Sequence, residues 1–446
     1  AERNRLWHHR CGLCSTPMKL LCPPLLSLFP LLSPSVAAFR TQLYSGRHLT
    51  NLNMSRHDDL IEKERAKAGF RYVEGCRRFN IMIPACQFLL TLFCHFQEIG
   101  PGLRLDMELK RLLHTSLSEF QEVQVVETYF GMTLVTDGKT QSAAHDEFVY
   151  HESLVHPPLF INAMLNNGSG GPKSVFIGGG GELATAREVL KHNTIERLVM
   201  VDLDGDVIEV CKKYLPEWGG ETVANHPKME LIIGDAHKYL TETSEKFDVI
   251  CMDISDPIEA GPGIALYTQE FYKHASTLLN DNGVFVTQAG SADFIPHVHA
   301  VPSGSADESG DSNKESWCFA AITNTLATVF DSAVPYTCQV PSFGEDWGFV
   351  LAFNQKSSGA AWHPRHMGAE EVDLMIKDRI ENIPGIPAHH STGQTREYTG
   401  SERGEDALLH YDGEIHRALF SLSKPLRKGM KRDKRIMTVD NPVFMY

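Results

Sequence analysis

The 446-residue chain is poor in what several function classes require. Its ten cysteines are scattered, and only Cys11 and Cys14 form a C-x-x-C, with no second pair to complete a tetrahedral site. That pattern supports neither a metal centre nor a disulfide scaffold. Positive charge is also short: 42 Lys and Arg stand against 56 Asp and Glu, a formal net charge of -14. Residues 1–56 work against that total, with Arg3, Arg5, Arg10, Lys19, Arg40, Arg47 and Arg56 facing the single acid Glu2. Setting that local +6 aside leaves -20 for the remainder. So acidic a body argues against a nucleic-acid footprint, and it serves solubility and the capture of a small polycation equally well. Long unbroken apolar runs are missing too. Residues 80–96 (NIMIPACQFLLTLFCHF) reach only seventeen, at the lower limit for a bilayer span, and read as a packed helix or an artefact of gene prediction rather than an anchor. No membrane partner is expected.

The run beginning at Met18, MKLLCPPLLSLFPLLSPSVAAF, has a basic start, a proline-broken apolar stretch and a small-residue end at Val36-Ala37-Ala38, the pattern of a secretory signal. The basic, acid-free stretch that follows has transit-peptide composition, so 1–56 reads either as a bipartite plastid-targeting leader or as a mis-assigned start ahead of a protein beginning near Met54. Plastid and cytoplasm both stay open as compartments. Residues 57–104 carry no firm element and are expected to be helical or poorly ordered.

From Glu119 the pattern becomes regular. QEVQVVETYF, Gly131 and MTLVTDGKTQ alternate apolar and polar residues around an Asp137-Gly138 turn, which predicts a small antiparallel β domain over 105–157. Beyond Pro172, short apolar strands (SVFIG, RLVMVDL, MELIIG, FDVICMD, GVFVTQA) alternate with helical stretches (ATAREVLKHN, DVIEVCKKYL). That order predicts an α/β, Rossmann-like catalytic domain over 158–446, a doubly wound parallel sheet with ligands at the carboxyl ends of its strands. Two polar segments, 301–316 and 388–405, read as surface insertions.

The first of those strands runs into Gly178-Gly179-Gly180-Gly181-Glu182, a turn that lets backbone approach a nucleoside. No phosphate-binding lysine follows. Asp202 ends the second strand, twenty residues after Glu182, where a carboxylate accepts from both ribose hydroxyls. Asp235 and Ala236 end the third, beside the adenine of such a ligand. These features fit any S-adenosyl ligand. The fourth strand ends in Asp253-Ile254-Ser255-Asp256-Pro257, two carboxylates three residues apart. Alkylating an amine at a sulfonium-activated carbon requires the amine uncharged, yet alkylamines are protonated near neutrality. A positioned carboxylate that binds the ammonium and accepts its proton meets that need, with Asp253 the base and Asp256 holding the chain.

The segments DGKTQSAAHDEFVYHE (137–152), GGGGELATAREVLKH (178–192), DISDPIEAGPGIALYTQEFY (253–272) and VPSFGEDWGF (340–349) resemble the polyamine aminopropyltransferases, in order and spacing, over about residues 105–355. The Tyr150-His151-Glu152 block, the VPSF segment and Trp347 resemble the thermospermine-forming branch most. The resemblance implies donor contacts from Gln121, His151, Glu182, Asp202, Asp235 and Ala236, and a proton acceptor in Asp253. It implies acceptor contacts from Tyr150, Asp256, Tyr267 and Phe343, the last standing where putrescine-using relatives carry tyrosine. Decarboxylated S-adenosylmethionine is then a co-substrate, a polyamine the acceptor, and no metal or further cofactor is expected. A homo-oligomer through the N-terminal domain is implied as well.

Three departures stand against the family pattern. Leu183 occupies a position usually held by glycine, the aromatic-acidic segment usual before the first hairpin is replaced by IGPGLRLDMELKRLL, and 301–316 is unusual. Spermidine or spermine synthesis, S-adenosylmethionine-dependent methyl transfer, and polyamine binding without catalysis remain the alternatives. Against methyl transfer stands the acid crowd at Glu182 and Asp253, which would repel a donor carboxylate.

Overall fold

The computed structural model describes residues 94–100, 103–166, 170–259, 261–293, 317–354, 362–386 and 407–445. The expected leader and both polar insertions lie outside the described residues.

Six strands form the N-terminal part. Strands β1 (Cys94–Gly100) and β2 (Leu103–Glu108) pair as an antiparallel hairpin. Strands β3 (Arg111–Leu117), β4 (Glu122–Thr128), β5 (Gly131–Thr136) and β6 (Lys139–Ala143) form an antiparallel meander in that order. The Asp137-Gly138 turn joins β5 to β6 with φ of 48° and 77°, the doubly left-handed geometry that a tight hairpin demands. Two expectations are corrected here. The apolar run at 80–96 is not helical at its described end, because from Cys94 onward it is β1. The β domain also ends at Ala143, not residue 157, since Glu147–Leu165 is a helix of the next domain.

That helix, α1, is almost wholly buried, although it contains Pro157 and Pro158. A proline lacks an N–H, which orphans the carbonyl four residues earlier. The Tyr336 hydroxyl donates to the Ser153 carbonyl at 3.0 Å and so satisfies the group left free by Pro157. At its other end Asp146 accepts from the Ser342 N–H at 2.6 Å, fixing the start of α1 against the VPSF segment.

The catalytic domain alternates β7 (Ser174–Gly179), α2 (Ala184–Leu190), β8 (Arg197–Asp202), α3 (Gly205–Tyr214), a short α4 (Gly220–Ala224), β9 (Met229–Ile233), α5 (Ala236–Glu242), β10 (Phe247–Asp253), α6 (Gln269–Thr277), β11 (Leu279–Ser291) and α7 (Phe319–Ala327). A final hairpin, β12 (Ser332–Val340) and β13 (Glu345–Phe353), completes one sheet of order β12-β13-β11-β10-β7-β8-β9. Strands β7 to β11 are mutually parallel, as expected, while β13 runs antiparallel to both of its neighbours. Alternate residues of each strand feed opposite faces: Val175 and Ile177 pack with α1 and α2, whereas Phe176 packs with Tyr239, Phe247 and the α6 side. The order reverses between β7 and β10, which opens a crevice at their carboxyl ends.

The remaining helices are α8 (Ala369–Arg379), α9 (Gly413–Leu419) and α10 (Lys424–Arg432). Buried Glu152 of α1 accepts from the backbone N–H groups of Leu409, His410 and Tyr411 at 2.8–2.9 Å, tying this part to the helix that carries Tyr150 and His151.

Candidate active site

The crevice is a cavity of about 740 Å³ under the N-terminal sheet. Gln121, Tyr150, Glu182, Asp202, Asp235, Ala236, Asp253, Asp256 and Phe343 all line it, from segments spread over more than 200 residues. His151 and Tyr267 do not. Both are fully buried behind the lining, so each acts on the cavity only through another side chain.

The glycine turn sets the geometry of one wall. Gly179 has φ of +84°, and a Cβ there would fall 2.0 Å from the Asp253 carbonyl oxygen, so no side chain fits. The Gly180 N–H donates to that same oxygen at 3.0 Å, locking the turn to the end of β10. Leu183 resolves its departure in an unexpected way. It adopts the left-handed region (φ 75°, ψ -6°), costing roughly 1–2 kcal/mol for a residue with a Cβ. Its side chain is fully buried in the core, and burying a leucine is worth about 1.5–3 kcal/mol, enough to offset the strain.

Helix α1 places Glu147, Tyr150 and His151 on neighbouring positions of one face. His151 is held at both ring nitrogens, 2.7 Å from Glu147 Oε2 and 3.1 Å from Glu182 Oε1. Burial alone would push this imidazole down, but the hydrogen bonds and charge of the two carboxylates outweigh it and hold the ring protonated up to about 10. Glu182 is pushed up by burial, yet the His151 bond and charge win and keep it below its ordinary value. Glu147 is in turn bound by the Arg187 guanidinium at 2.9 Å. A buried ionic layer between α1 and α2 therefore fixes Glu182 as an anion facing the cavity.

Asp253 is the opposite case. Tyr150 donates its hydroxyl to one carboxylate oxygen at 2.6 Å and Thr185 donates to the other at 2.5 Å. Burial, then the nearby negative charge of Glu182, raise this acid to about 6. The Tyr150 phenol is driven well above 10 by burial and by Asp253, so it remains a donor. Two carboxylates pushed to opposite protonation behaviour in one cleft mark an acid/base site. His151, Glu182 and Asp253 also place potential ligand atoms within 4.8 Å of one another. An imidazolium with both nitrogens bound to carboxylates has no lone pair for a metal, so this triad is read as an ionic one.

The nucleoside side holds Asp202, raised to about 7 chiefly by burial, with one oxygen accepting from the Asp204 N–H at 2.8 Å. Gln121 does not point free into the cavity: its amide donates to Asp204 at 2.9 Å. Asp235 caps α5 by accepting from the His237 N–H at 2.8 Å.

On the far side, Asp256 is raised by burial and accepts from the Gln288 amide at 3.1 Å. The same amide nitrogen lies 2.7 Å from the Tyr267 hydroxyl, which places Tyr267 behind Gln288 as a support. Phe343 meets Tyr150 edge-on at 5.9 Å and Trp347 at 4.8 Å, making an aromatic wall. Sequence reasoning missed Gln97, Thr185, Gln288, Glu345 and Met445 as residues of this site. Glu345 was within reach, two residues beyond Phe343. Burial, despite a bond from Ser291, pushes it up to about 8, with Asp256 adding to the push.

Residues 147–301 match the spermine/spermidine synthase domain and residues 93–143 the spermidine synthase tetramerisation domain. The thermospermine synthase ACAULIS5 of Arabidopsis thaliana is 39% identical over 64% of this chain and 76% of its own length. The polyamine aminopropyltransferase of Sulfolobus acidocaldarius is 37% identical over 75% of this chain and 92% of its own. The chain belongs to the polyamine aminopropyltransferase family. In fold, this aminopropyltransferase resembles a spermidine synthase crystallised with the transition state analogue AdoDATO, with a TM-score of 0.57 and 24% identity over 80% of this chain and 98% of that one. A spermidine synthase from Thermotoga maritima gives 0.56 at the same identity. Among the described residues no helix is long and apolar enough to cross a membrane.

Proposed function

We propose that this aminopropyltransferase moves the aminopropyl group of decarboxylated S-adenosylmethionine onto spermidine, giving thermospermine and methylthioadenosine. The observation that carries the reading is the set of acids along one cavity, Glu182, Asp253, Asp256 and Glu345, broken by the aromatic wall of Tyr150, Phe343 and Trp347. Anionic Glu182 suits the ammonium of the donor's aminopropyl arm and would repel the carboxylate of an undecarboxylated donor. Asp202, Asp235 and Ala236 fit the adenosine. Asp253 takes the proton of the attacking amine, whose nitrogen forms a bond to the methylene beside the sulfonium. The C–S bond breaks, its electron pair stays on sulfur, and neutral methylthioadenosine leaves. The sulfonium is already an activated leaving group, so the reading requires neither a metal nor a further cofactor.

Asp256 and Glu345 lie beyond the reacting amine, and two further carboxylates suit an acceptor with more than one remaining ammonium. Phe343 offers no hydroxyl to a short diamine at that position. Both points favour spermidine over putrescine. The match of residues 93–143 to a tetramerisation domain supports a homo-oligomer formed through β1 to β6.

The test is to supply the donor with putrescine or spermidine and separate products by chromatography against thermospermine and spermine standards. Thermospermine from spermidine is the expected result. Spermidine from putrescine, or spermine, overturns the choice of acceptor, and donor binding without transfer overturns catalysis.

A further inference from the structure

The segment Met437–Met445 crosses from α6 and α7 back to the mouth of the site and is pinned along its length. The Met437 N–H donates to Thr325 Oγ1 at 2.8 Å, and its carbonyl accepts from the Gln269 N–H at 2.8 Å. The Val443 carbonyl accepts from the Cys318 thiol at 3.7 Å, and the Met445 N–H donates to the Pro257 carbonyl at 2.7 Å. The last bond sets Met445 one residue from Asp256, and its side chain lines the cavity while only 2% of the residue is exposed.

The sheet makes room for it. Pairing of β11 with β13 shifts register between Gln288 and Ser291, and Gly290 inside that irregularity has φ of +70°. A Cβ on Gly290 would stand 2.7 Å from the Met445 sulfur and 3.2 Å from Asp256 Oδ1. The thioether therefore fills the notch left by a bulge glycine, directly beside a carboxylate assigned to the acceptor.

From this placement we propose that Met445 is a specificity-determining residue for the polyamine acceptor: its thioether is the apolar surface on which the methylene run beside the Asp256-bound ammonium packs. This rests on the acceptor assignment made under Proposed function. A polyamine presents cations separated by methylenes, and carboxylates alone read the cations without measuring the spacing. An unbranched, polarizable side chain beside one of those carboxylates supplies the dry contact that does. Each methylene removed from water is worth about a fourfold gain in affinity, so losing contact with two or three lowers affinity roughly fifteen- to sixtyfold.

The experiment uses the full chain saturated with methylthioadenosine, so that it does not depend on turnover. Calorimetry measures the binding of putrescine, spermidine and spermine to the wild type and to Met445→Ala, Met445→Gln and Met445→Leu, and methylthioadenosine affinity is measured for each. The expected result is a tenfold or greater loss of spermidine affinity in the Ala and Gln variants, recovery to within about threefold in the Leu variant, and methylthioadenosine affinity within twofold throughout. The Gln variant keeps the length and fold if the Ala variant does not. Unchanged spermidine affinity in the Gln variant, or a parallel loss of methylthioadenosine and spermidine binding, overturns the proposal. A wild type that binds putrescine best instead overturns the choice of spermidine, while the comparison among variants, read with that ligand, still judges Met445.

Discussion

Replacing Asp253 by asparagine separates what this carboxylate does for the reaction from what it costs the fold. The acid is raised from 3.8 to about 6 in the folded chain. Two units correspond to about 3 kcal/mol, and because the group lines the cavity, solvent screening discounts the figure to about 1–2 kcal/mol. The sign follows from the direction. A folded value above the unfolded one means that the fold prefers the neutral acid, so the penalty is absent below pH 4, grows between pH 4 and 6 and is constant above. Asparagine is neutral throughout and, like the protonated acid, offers one acceptor and one donor to Tyr150 and Thr185. The variant should therefore be more stable than the wild type by about 1–2 kcal/mol at pH 8 in urea unfolding, with the gap narrowing at pH 5. Turnover should fall by about two to four orders of magnitude, the worth of a positioned base, while methylthioadenosine still binds. A variant that is less stable at pH 8, or that turns over near the wild-type rate, would refute the assignment of Asp253 as a strained buried base.

Glu182→Gln removes the charge that helps hold Asp253 up, so the acid limb of kcat/KM against pH should move from about 6 to lower pH while donor KM rises at least tenfold. An unmoved limb would show that burial alone sets the value. Leu183→Gly relieves the left-handed strain but empties a fully buried site, and thermal unfolding should show net destabilisation of about 1–3 kcal/mol; a more stable variant would mean that the strain outweighs the packing. Glu345 sits near 8, so acceptor KM should increase as pH falls from 8 to 6, and Glu345→Gln should flatten that dependence. A slope that survives the substitution assigns the titration elsewhere.

The alternation of apolar strands and helices made the parallel sheet legible in advance. The glycine turn and the acids at four strand ends placed most of the cavity, because a strand end in such a sheet faces the crevice whatever its neighbours are. DEFVYHE, D-x-S-D-P and VPSF marked Tyr150, Asp253, Asp256 and Phe343. Local signals failed where partners come from elsewhere. The apolar look of 80–96 concealed the start of β1, whose pairing with β2 decides its form, and the carbonyl that Pro157 orphans in α1 is satisfied by Tyr336, 183 residues away.

The sequence by itself determined the family, the sheet and which acids stand at its strand ends, since period and motif are local properties of the chain. Only the tertiary structure decided how far each of those acids is shifted, and in which direction. Glu182 and Asp253 are both carboxylates in one cleft, but α1 brings an imidazolium that holds the first below its ordinary value, while burial and the charge of Glu182 raise the second to about 6. It also decided that Leu183 accepts a left-handed backbone, that His151 and Tyr267 work from behind the cavity wall, and that Met445 joins Asp256 in lining it. Protonation, strain and enclosure depend on neighbours distant in the chain, and a linear pattern carries no record of them.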